Sequence, residues 1–426
     1  MVKSLERSLT VGFISFRFQG TDGVSLETSK WAEVLEKMGH KCYYFSGLSD
    51  RPSERSMVVE EAHFLEPENR EYYSKFFSST KRTKEETRWI HSRREFFKEH
   101  LYSFIKKFEI DLIIPQNILS FPLNIPLSMA LVEIIAETSI PTIAHHHDFT
   151  WERKPLLVNS IWDYITMAVP PTLSSVQHVV INSSASHQLA HRVGVRSTII
   201  PNVMDFENPP PESDEYSSDL RAALGIEPDE LFILQPTRVV QRKGIEHAIE
   251  LVSRLGRKAR LVISHASGDD GYEYEARVAD FAERMGVRAI FSSERFGEDR
   301  GTTEDGKKIY SLSDAYPHAD LVTYPSLIEG FGNAFLEALY YRKPIVVNNY
   351  AIYATDIRPK GFKVIEFDDY ITERTIQDTL RILDDPAHQV ELCNFNYALA
   401  LRHFSYKVLR RQFQVLLVNA FGINGQ

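Results

Sequence analysis

Two carboxylates, Glu329 and Glu337, bracket a glycine-punctuated loop and the start of a predicted helix. The loop follows an apolar run at 321–324, and the helix is predicted over about 333–342, where Pro344 ends it. A strand–loop–helix corner of this type points backbone N–H groups and the positive end of the helix at one spot, where an anion docks. Glu337 can then accept hydrogen bonds from a vicinal diol such as a ribose, while Glu329 faces whatever lies beyond the phosphates. The spacing alone is also compatible with two solvated glutamates on a Rossmann-type turn.

A pair of cations forms the second candidate site. Arg238 and Lys243 follow an apolar run at 231–235, and Gly244 opens a helix predicted over about 245–255. Cationic side chains beside a glycine at a helix start suit a diphosphate, because fixed positive charge stabilises a departing nucleotide. The alternative interpretation is ordinary surface charge.

These motifs together resemble the signature of the retaining family 4 glycosyltransferases, the glycosyl transferases of group 1. The resemblance rests on the two glutamates separated by seven residues with GFG at 330–332, and on the Arg238 and Lys243 pair. It also rests on PNVMD at 201–205, although Val203 stands where this family has glycine.

The resemblance covers nearly the whole chain and implies an α/β fold of the GT-B type. We therefore expect two Rossmann-like domains with mostly parallel sheets that face a central cleft. The acceptor-binding domain is predicted at 1–208, with a C-terminal helix at about 405–426 packing back on it. The nucleotide-sugar domain is predicted at 209–404, and it begins with a proline-rich, acidic segment without periodicity.

The resemblance also implies individual roles. Arg238 and Lys243 would bind the donor diphosphate, Glu329 a hydroxyl of the sugar, and Glu337 the ribose. The other donor-binding residues implied at the corner are Gly330, Phe331, Gly332, Asn333 and Ala334. A helix predicted over 307–318 includes SDAY at 313–316, which packs beside the nucleotide in relatives and is compatible with a plain packing role.

The N-terminus predicts a βαβ opening and therefore a parallel sheet. A buried strand at 9–16 leads into the loop RFQGTDGV and a helix over about 25–38, with Ser25 as its N-cap. The loop is not a GxGxxG fingerprint, but Gly23 lets backbone approach a ligand closely. The resemblance implies that Gly20, Gly23 and Val24 abut the sugar-phosphate.

Three adjacent histidines, His145, His146 and His147, end a short strand predicted at 141–145 and precede Asp148. Such a run suggests a metal site. Alternate side chains of an extended chain face opposite ways, however, so the three cannot meet at one centre without a bend, and we predict no metal. The resemblance implies that His147 contacts the transferred sugar; the alternative is a histidine that caps the sheet through hydrogen bonds.

The composition is that of a soluble globular protein of 426 residues, with a net charge of −9 that argues against nucleic acid as the main partner. The two cysteines lie in no metal-ligand spacing, and we expect no secretory signal, no spanning helix and a cytoplasmic location. The stretch 75–108 is rich in Lys, Arg and aromatic residues. It could contact a membrane surface or an acidic acceptor, but its glutamates dilute the charge and favour a solvated helix pair.

The predicted function is retaining transfer of a hexose from a nucleotide-diphosphate sugar, a UDP- or GDP-sugar first, to an acceptor hydroxyl, without metal or cofactor. Arg153, Lys154 and the basic stretch 81–98 suggest a small anionic acceptor, while a lipid or a glycan end stays open. Two alternatives remain: a nucleotide-sugar 2-epimerase of the same fold, and a non-catalytic two-lobed protein that binds sugar nucleotides.

Overall fold

The structure, a computed structural model, describes residues 7–20, 22–267 and 272–422. The chain divides into two compact units. The N-terminal unit runs to Val203 and resumes at Tyr406, and the C-terminal unit spans Met204–Ser405. The division after Val203 lies a few residues before the boundary predicted after residue 208.

The N-terminal unit contains a seven-stranded sheet in the order β3-β2-β1-β4-β5-β6-β7, and every neighbouring pair is parallel. Its elements are β1 (Thr10–Ile14), α1 (Gly23–Lys37), β2 (Lys41–Ser46), β3 (Ser56–Val58), α2 (Pro67–Ser78), α3 (Lys84–Phe108), β4 (Leu112–Pro115), α4 (Ile125–Thr138), β5 (Thr142–His146), α5 (Trp162–Ala168), β6 (Val176–Val180), α6 (Ser183–Val193) and β7 (Ser197–Ile199).

The C-terminal unit contains a six-stranded parallel sheet in the order β10-β9-β8-β13-β14-β15, and a small antiparallel pair, β11 and β12. Its elements are α7 (Leu220–Ala223), β8 (Leu231–Gln235), α8 (Ile245–Arg254), β9 (Ala259–Ile263), α9 (Glu273–Arg284), β10 (Arg288–Phe291), β11 (Gly301–Thr302), β12 (Lys308–Ile309), α10 (Leu312–His318), β13 (Leu321–Tyr324), α11 (Asn333–Tyr340), β14 (Ile345–Asn348), β15 (Ile365–Phe367), α12 (Glu373–Asp384) and α13 (Pro386–Phe404). A last helix, α14 (Tyr406–Phe421), belongs to the N-terminal unit.

The central strands of both sheets are buried, which is typical of parallel sheets. All four residues of β4 and all four of β13 are buried, as expected for strands covered by helices on both faces. In the N-terminal unit, Trp31 of α1 and Phe413 of α14 pack in one core cluster, and Phe104 of α3 and Leu131 of α4 pack in another. The predicted α/β fold with mostly parallel sheets is confirmed. No helix in the described part of the chain is long and apolar enough to cross a membrane.

The strand orders predict where ligands bind. In each sheet the order reverses beside the first strand of the unit, between β1 and β4 and between β8 and β13. Open α/β sheets bind ligands at the carboxyl ends of the strands that flank such a reversal. Residues that follow these four strands are therefore the first candidates for a site.

Some sequence predictions of element boundaries were wrong. Helix α1 begins at Gly23 and is capped by Asp22, not Ser25, because the Asp22 carboxylate accepts from the N–H groups of Val24 and Ser25. The helix predicted from residue 307 begins at Leu312, because part of the preceding segment pairs as β11 and β12. The basic stretch 75–108 spans the end of α2 and all of α3, in agreement with a pair of helices.

Candidate active site

The loops after β8 and β13 meet in the C-terminal unit. The ammonium group of Lys243 forms an ion pair with Glu329 Oε1, and Arg242 Nη1 lies 3.2 Å from Glu329 Oε2. The same guanidinium donates to the carbonyl of Ile328 at 3.2 Å, and the N–H of Leu327 donates to the carbonyl of Arg242 at 2.9 Å. The structure thus brings two of the residues singled out in the sequence, Lys243 and Glu329, into direct contact.

Gly244 makes this approach sterically feasible. Its φ is +60°, in the left-handed region, and a Cβ at this position would lie 2.4 Å from the carbonyl oxygen of Pro325. The obstacle is backbone of the facing loop, which cannot rotate away as a flexible side chain could. Glycine is therefore required here both for its conformation and for the close contact.

We expect Gly244→Ala to destabilise the protein more than Gly256→Ala does. Gly256 has a similar φ of +61°, but a Cβ there would meet no atom within 4 Å. Both variants pay about 1 kcal/mol for the left-handed backbone, and Gly244→Ala adds about 1–3 kcal/mol for the forced separation of the loops. Thermal denaturation of both variants measures the difference. Equal losses of stability would show that the two loops do not touch at this position.

The charges at this contact influence one another. Burial lowers the pKa of Lys243, and the carboxylate of Glu329 opposes that shift. Burial alone would raise the pKa of Glu329, but the charges of Lys243 and Arg242 bring it below its ordinary value. Burial also lowers the pKa of His265 to about 4, with further contributions from Arg238 and Lys243. The carboxylate is therefore ionised at neutral pH and lies between two cations.

Arg238 is exposed, and its side chain has no hydrogen-bond or ion-pair partner among the described residues. The positive charge of Arg238 contributes to lowering the pKa of Lys243 and the pKa of His265. The structure therefore places Arg238 in the electrostatic neighbourhood of Lys243 without a direct contact to Glu329.

The corner after Glu329 is shaped by an unusual backbone. Gly332 has a φ of +127°, and a Cβ there would lie 2.6 Å from the hydroxyl oxygen of Tyr350. That hydroxyl donates to the carbonyl of Phe331 at 2.6 Å. Helix α11 then begins at Asn333, followed by Ala334, and its N-cap residue is Gly332, so no side-chain cap covers its first N–H groups. Gly330 is exposed and Phe331 is buried, so the corner presents backbone rather than the Phe331 ring.

Glu337, in α11, is held by a tyrosine. The hydroxyl of Tyr316 donates to Glu337 Oε2 at 2.7 Å, and the Tyr316 ring stacks on Tyr341 with centroids 4.7 Å apart. Burial and the neighbouring carboxylate raise the pKa of Tyr316 well above its ordinary value, so the hydroxyl stays a donor. The sequence is compatible with Tyr316 either beside the nucleotide or in a plain packing role, and the hydrogen bond to Glu337 could not be inferred from spacing.

In the N-terminal unit, the free N–H groups at the start of α1 are bound by a carboxylate of the preceding loop. Asp22 Oδ1 accepts from Val24 N–H at 3.0 Å and from Ser25 N–H at 3.2 Å, and Asp22 Oδ2 pairs with Arg17 Nη2 at 3.0 Å. Gly23 is the first residue of the helix, and a Cβ at this position would meet no other atom within 4 Å. Thr21 of the same loop lies outside the described residues.

The side chains of the three histidines at the end of β5 alternate between two sides, as the alternation of an extended chain requires, so that His145 and His147 share one side. His145 Nδ1 and His147 Nε2 lie 2.9 Å and 3.1 Å from the side-chain oxygen of Gln116. The ring of His146 turns to the opposite side, where its Nε2 lies 2.8 Å from His178 Nδ1. In the described residues no group of three or more His, Cys, Asp or Glu side chains is arranged to hold a metal ion.

Two solved structures share this fold across almost the full chain. A glycosyltransferase from Rickettsia africae ESF-5 has a TM-score of 0.69 at 14% identity and covers 97% of this chain and 98% of its own. Alr3699/HepE of Anabaena, solved in complex with UDP-glucose, has a TM-score of 0.64 at 12% identity and covers 96% of this chain and 100% of its own. The architecture is that of the GT-B glycosyltransferases.

A relative in sequence shows to which family of glycosyltransferases the chain belongs. The mannosylglucosylglycerate synthase of Thermotoga maritima is 32% identical over 436 aligned positions, which cover 94% of this chain and 98% of the relative. No protein-family model matches the chain. The chain therefore belongs to the family of this synthase, among the group 1 glycosyltransferases that its motifs resemble. It is a glycosyltransferase, and that prediction is confirmed.

Proposed function

We propose that this enzyme transfers a hexose from a nucleotide-diphosphate sugar to a hydroxyl of a small anionic acceptor, with retention of the anomeric configuration. The observation that carries the proposal is the contact of Lys243 with Glu329. It unites a cation for phosphate and a carboxylate for a sugar hydroxyl at the carboxyl ends of β8 and β13. A donor that contacts both side chains has its diphosphate bound by Lys243 and its sugar bound by Glu329.

Each residue then has one task in the reaction. The bond between the sugar C1 and the diphosphate oxygen breaks, while the acceptor oxygen bonds to C1 on the same face and its proton passes to the departing diphosphate. Arg238 and Lys243 stabilise the charge that develops on the diphosphate, together with N–H groups at Gly332 and Asn333. These fixed charges supply the electrostatic stabilisation that a metal would otherwise give, so we propose a metal-independent reaction.

The remaining contacts orient the substrates. Glu337 accepts from the ribose, Glu329 from a hydroxyl of the hexose, and His147 contacts the transferred sugar. The C-terminal unit binds the donor, and the N-terminal unit binds the acceptor.

The relative and two cations support the proposed acceptor class. The relative's name describes a product built from mannose, glucose and glycerate. In this chain, Arg153 and Lys154 are exposed shortly after the end of β5, and Arg153 Nη2 pairs with Asp148 Oδ1 at 3.0 Å. A carboxylate-bearing acceptor suits such cations. We therefore propose glucosylglycerate as the acceptor and a mannosyl group as the transferred hexose.

Nucleotide release with defined substrate pairs tests the proposal. GDP-mannose, UDP-mannose, UDP-glucose and ADP-glucose are each incubated with glucosylglycerate, with glucosyl-3-phosphoglycerate, or with no acceptor. We expect release with one mannosyl donor that requires glucosylglycerate, and an axial anomeric bond in the product by NMR. Release that is independent of the acceptor, or an inverted anomeric centre, would refute the proposal.

Replacing Tyr316 by Phe tests the role of Glu337. The change keeps the stack on Tyr341 and removes the hydrogen bond that orients the carboxylate, so we expect about tenfold weaker donor binding. A donor with a 2′,3′-dideoxyribose is expected to bind both proteins equally. Tyr353→Phe is the matched control, because Tyr353 is also buried and its hydroxyl also donates to a glutamate, Glu366. A loss of affinity that persists with the dideoxy donor would place Glu337 away from the ribose.

A further inference from the structure

The amide of Gln116 joins two histidines in the N-terminal unit. Gln116 immediately follows β4 and its relative exposure is 0%. Its side-chain oxygen lies 2.9 Å from His145 Nδ1 and 3.1 Å from His147 Nε2. Strands β4 and β5 are neighbours in the sheet, so His145 and His147 at the end of β5 reach the residue that follows β4.

The orientation of the Gln116 amide bears on the tautomer of both rings. Its oxygen faces the two histidines and can only accept hydrogen bonds, so in this orientation His145 Nδ1 and His147 Nε2 each carry the hydrogen. Burial lowers the pKa of His147 to about 4, which keeps the ring neutral at physiological pH. A neutral imidazole that carries its hydrogen on Nε2 has a lone pair on Nδ1. His147 therefore offers an acceptor, and not a donor, at Nδ1.

The partners of Gln116 are themselves held rigidly. The ring of His145 stacks on Trp31 of α1, with centroids 3.9 Å apart and planes inclined by 14°. Trp31 in turn packs edge-to-face against Phe413 of α14, with ring centroids 4.9 Å apart. The backbone of His147 is fixed separately, because its N–H donates to Asn117 Oδ1 at 3.0 Å. The ring of His147 thus keeps one side-chain orientation through Gln116.

We infer that Gln116 is a positioning residue, which holds the His147 ring so that Nδ1 accepts a hydrogen bond from a substrate hydroxyl. The inference rests on the proposed function, in which His147 contacts the transferred sugar. His147 is part-exposed at the carboxyl end of β5, and no described residue donates to its Nδ1. Gln116 itself is buried and acts on the substrate only through His147.

A double-variant experiment tests this inference. Gln116→Met preserves the length of the side chain but cannot accept a hydrogen bond, and we expect kcat to fall about tenfold because the His147 ring loses its fixed orientation. In the His147→Ala background, the same Gln116→Met change is expected to leave kcat unaltered. An equal tenfold loss in both backgrounds would assign Gln116 a purely structural role. Full activity of either single variant would also overturn the inference.

The control is Thr142→Val on the same strand. Thr142 is buried, and its hydroxyl donates to the carbonyl of Ile140 at the opposite end of β5. This variant also loses a buried hydrogen bond, but it leaves His147 unaffected. Its melting temperature therefore shows how much stability such a loss costs by itself. We expect its kcat to equal that of the wild type.

Nuclear magnetic resonance of the resting enzyme separates this inference from the proposed function. Protein labelled with 15N-histidine, with the His147 signals assigned by their loss in His147→Ala, reports which ring nitrogen carries hydrogen. We expect Nε2 to be protonated in the wild type and the two tautomers to mix in Gln116→Met. Protonation of Nδ1 in the wild type would refute the inference, whichever substrates the enzyme accepts. Failure of every donor and acceptor pair would refute the proposed function and leave this result standing.

Discussion

Lys243→Met is expected to lower the rate of transfer about 10²- to 10³-fold, because it removes a fixed cation from the departing diphosphate. Only 11% of the Lys243 side chain is exposed, and its ammonium group pairs with Glu329. Such a desolvated charge interacts more strongly with a developing phosphate charge than a surface lysine does. Methionine keeps the volume of the aliphatic stem, so the loss reports the charge. Initial rates at saturating donor give kcat, and rates at low donor give kcat/KM.

Lys343→Met is the matched control for this change. Lys343 belongs to the same unit, burial lowers its pKa too, and its ammonium group donates to the carbonyl of Pro317 at 2.8 Å. We expect its kcat to remain within about twofold of the wild type, in line with a residue that binds no substrate. Equal losses in the two lysine variants would mean that Lys243 stabilises the fold and not the reaction.

Glu329→Gln is expected to reduce kcat about 10²-fold for two reasons. The neutral amide accepts a weaker hydrogen bond from the sugar, and it leaves Lys243 without its counter-charge. The second effect has a defined sign. Burial and the charges of Arg242 and Arg238 lower the pKa of Lys243, and Glu329 is the group that raises it. Without Glu329, the pKa of Lys243 falls further.

The pH dependence of the residual activity follows from that sign. If protonated Lys243 is required, the alkaline limb of the profile of Glu329→Gln shifts to lower pH than in the wild type. Glu366→Gln serves as the control, since Glu366 also pairs with an arginine, Arg358, at 3.0 Å in the same unit. An unchanged alkaline limb in Glu329→Gln would contradict the coupling between Glu329 and Lys243.

Much of the fold was predictable because the signals are local. Short buried apolar runs alternate with helical periods, and this alternation favours parallel sheets covered by helices. The boundary errors arose where particular side-chain contacts determine the residue at which a helix begins. Asp22 caps α1 in place of Ser25 because a carboxylate accepts from two N–H groups at once. Lys308 is held by Asp219 and by the carbonyl of Tyr216, contacts distant in sequence that no helical period could reveal.

Residues of the candidate site could be predicted only where each belongs to a sequence motif that follows a strand. Lys243 and Glu329 could be named from spacing and resemblance, but their direct contact depends on β8 and β13 being neighbours in the sheet. Arg242 was missed, because a surface arginine beside a motif lysine carries no signal of its own. Gln116 was missed for a similar reason. Its importance comes from the pairing of β4 with β5, which places it beside two histidines.

Arg238 and Lys243 are expected to bind the same diphosphate as the corner from Glu329 to Glu337. Calorimetric titration of the donor's nucleoside diphosphate and monophosphate on the wild type, Arg238→Met and Lys243→Met tests it most directly. We predict that the wild type prefers the diphosphate by about tenfold or more and that each variant loses most of this preference. A preference that survives intact in both variants would contradict the claim.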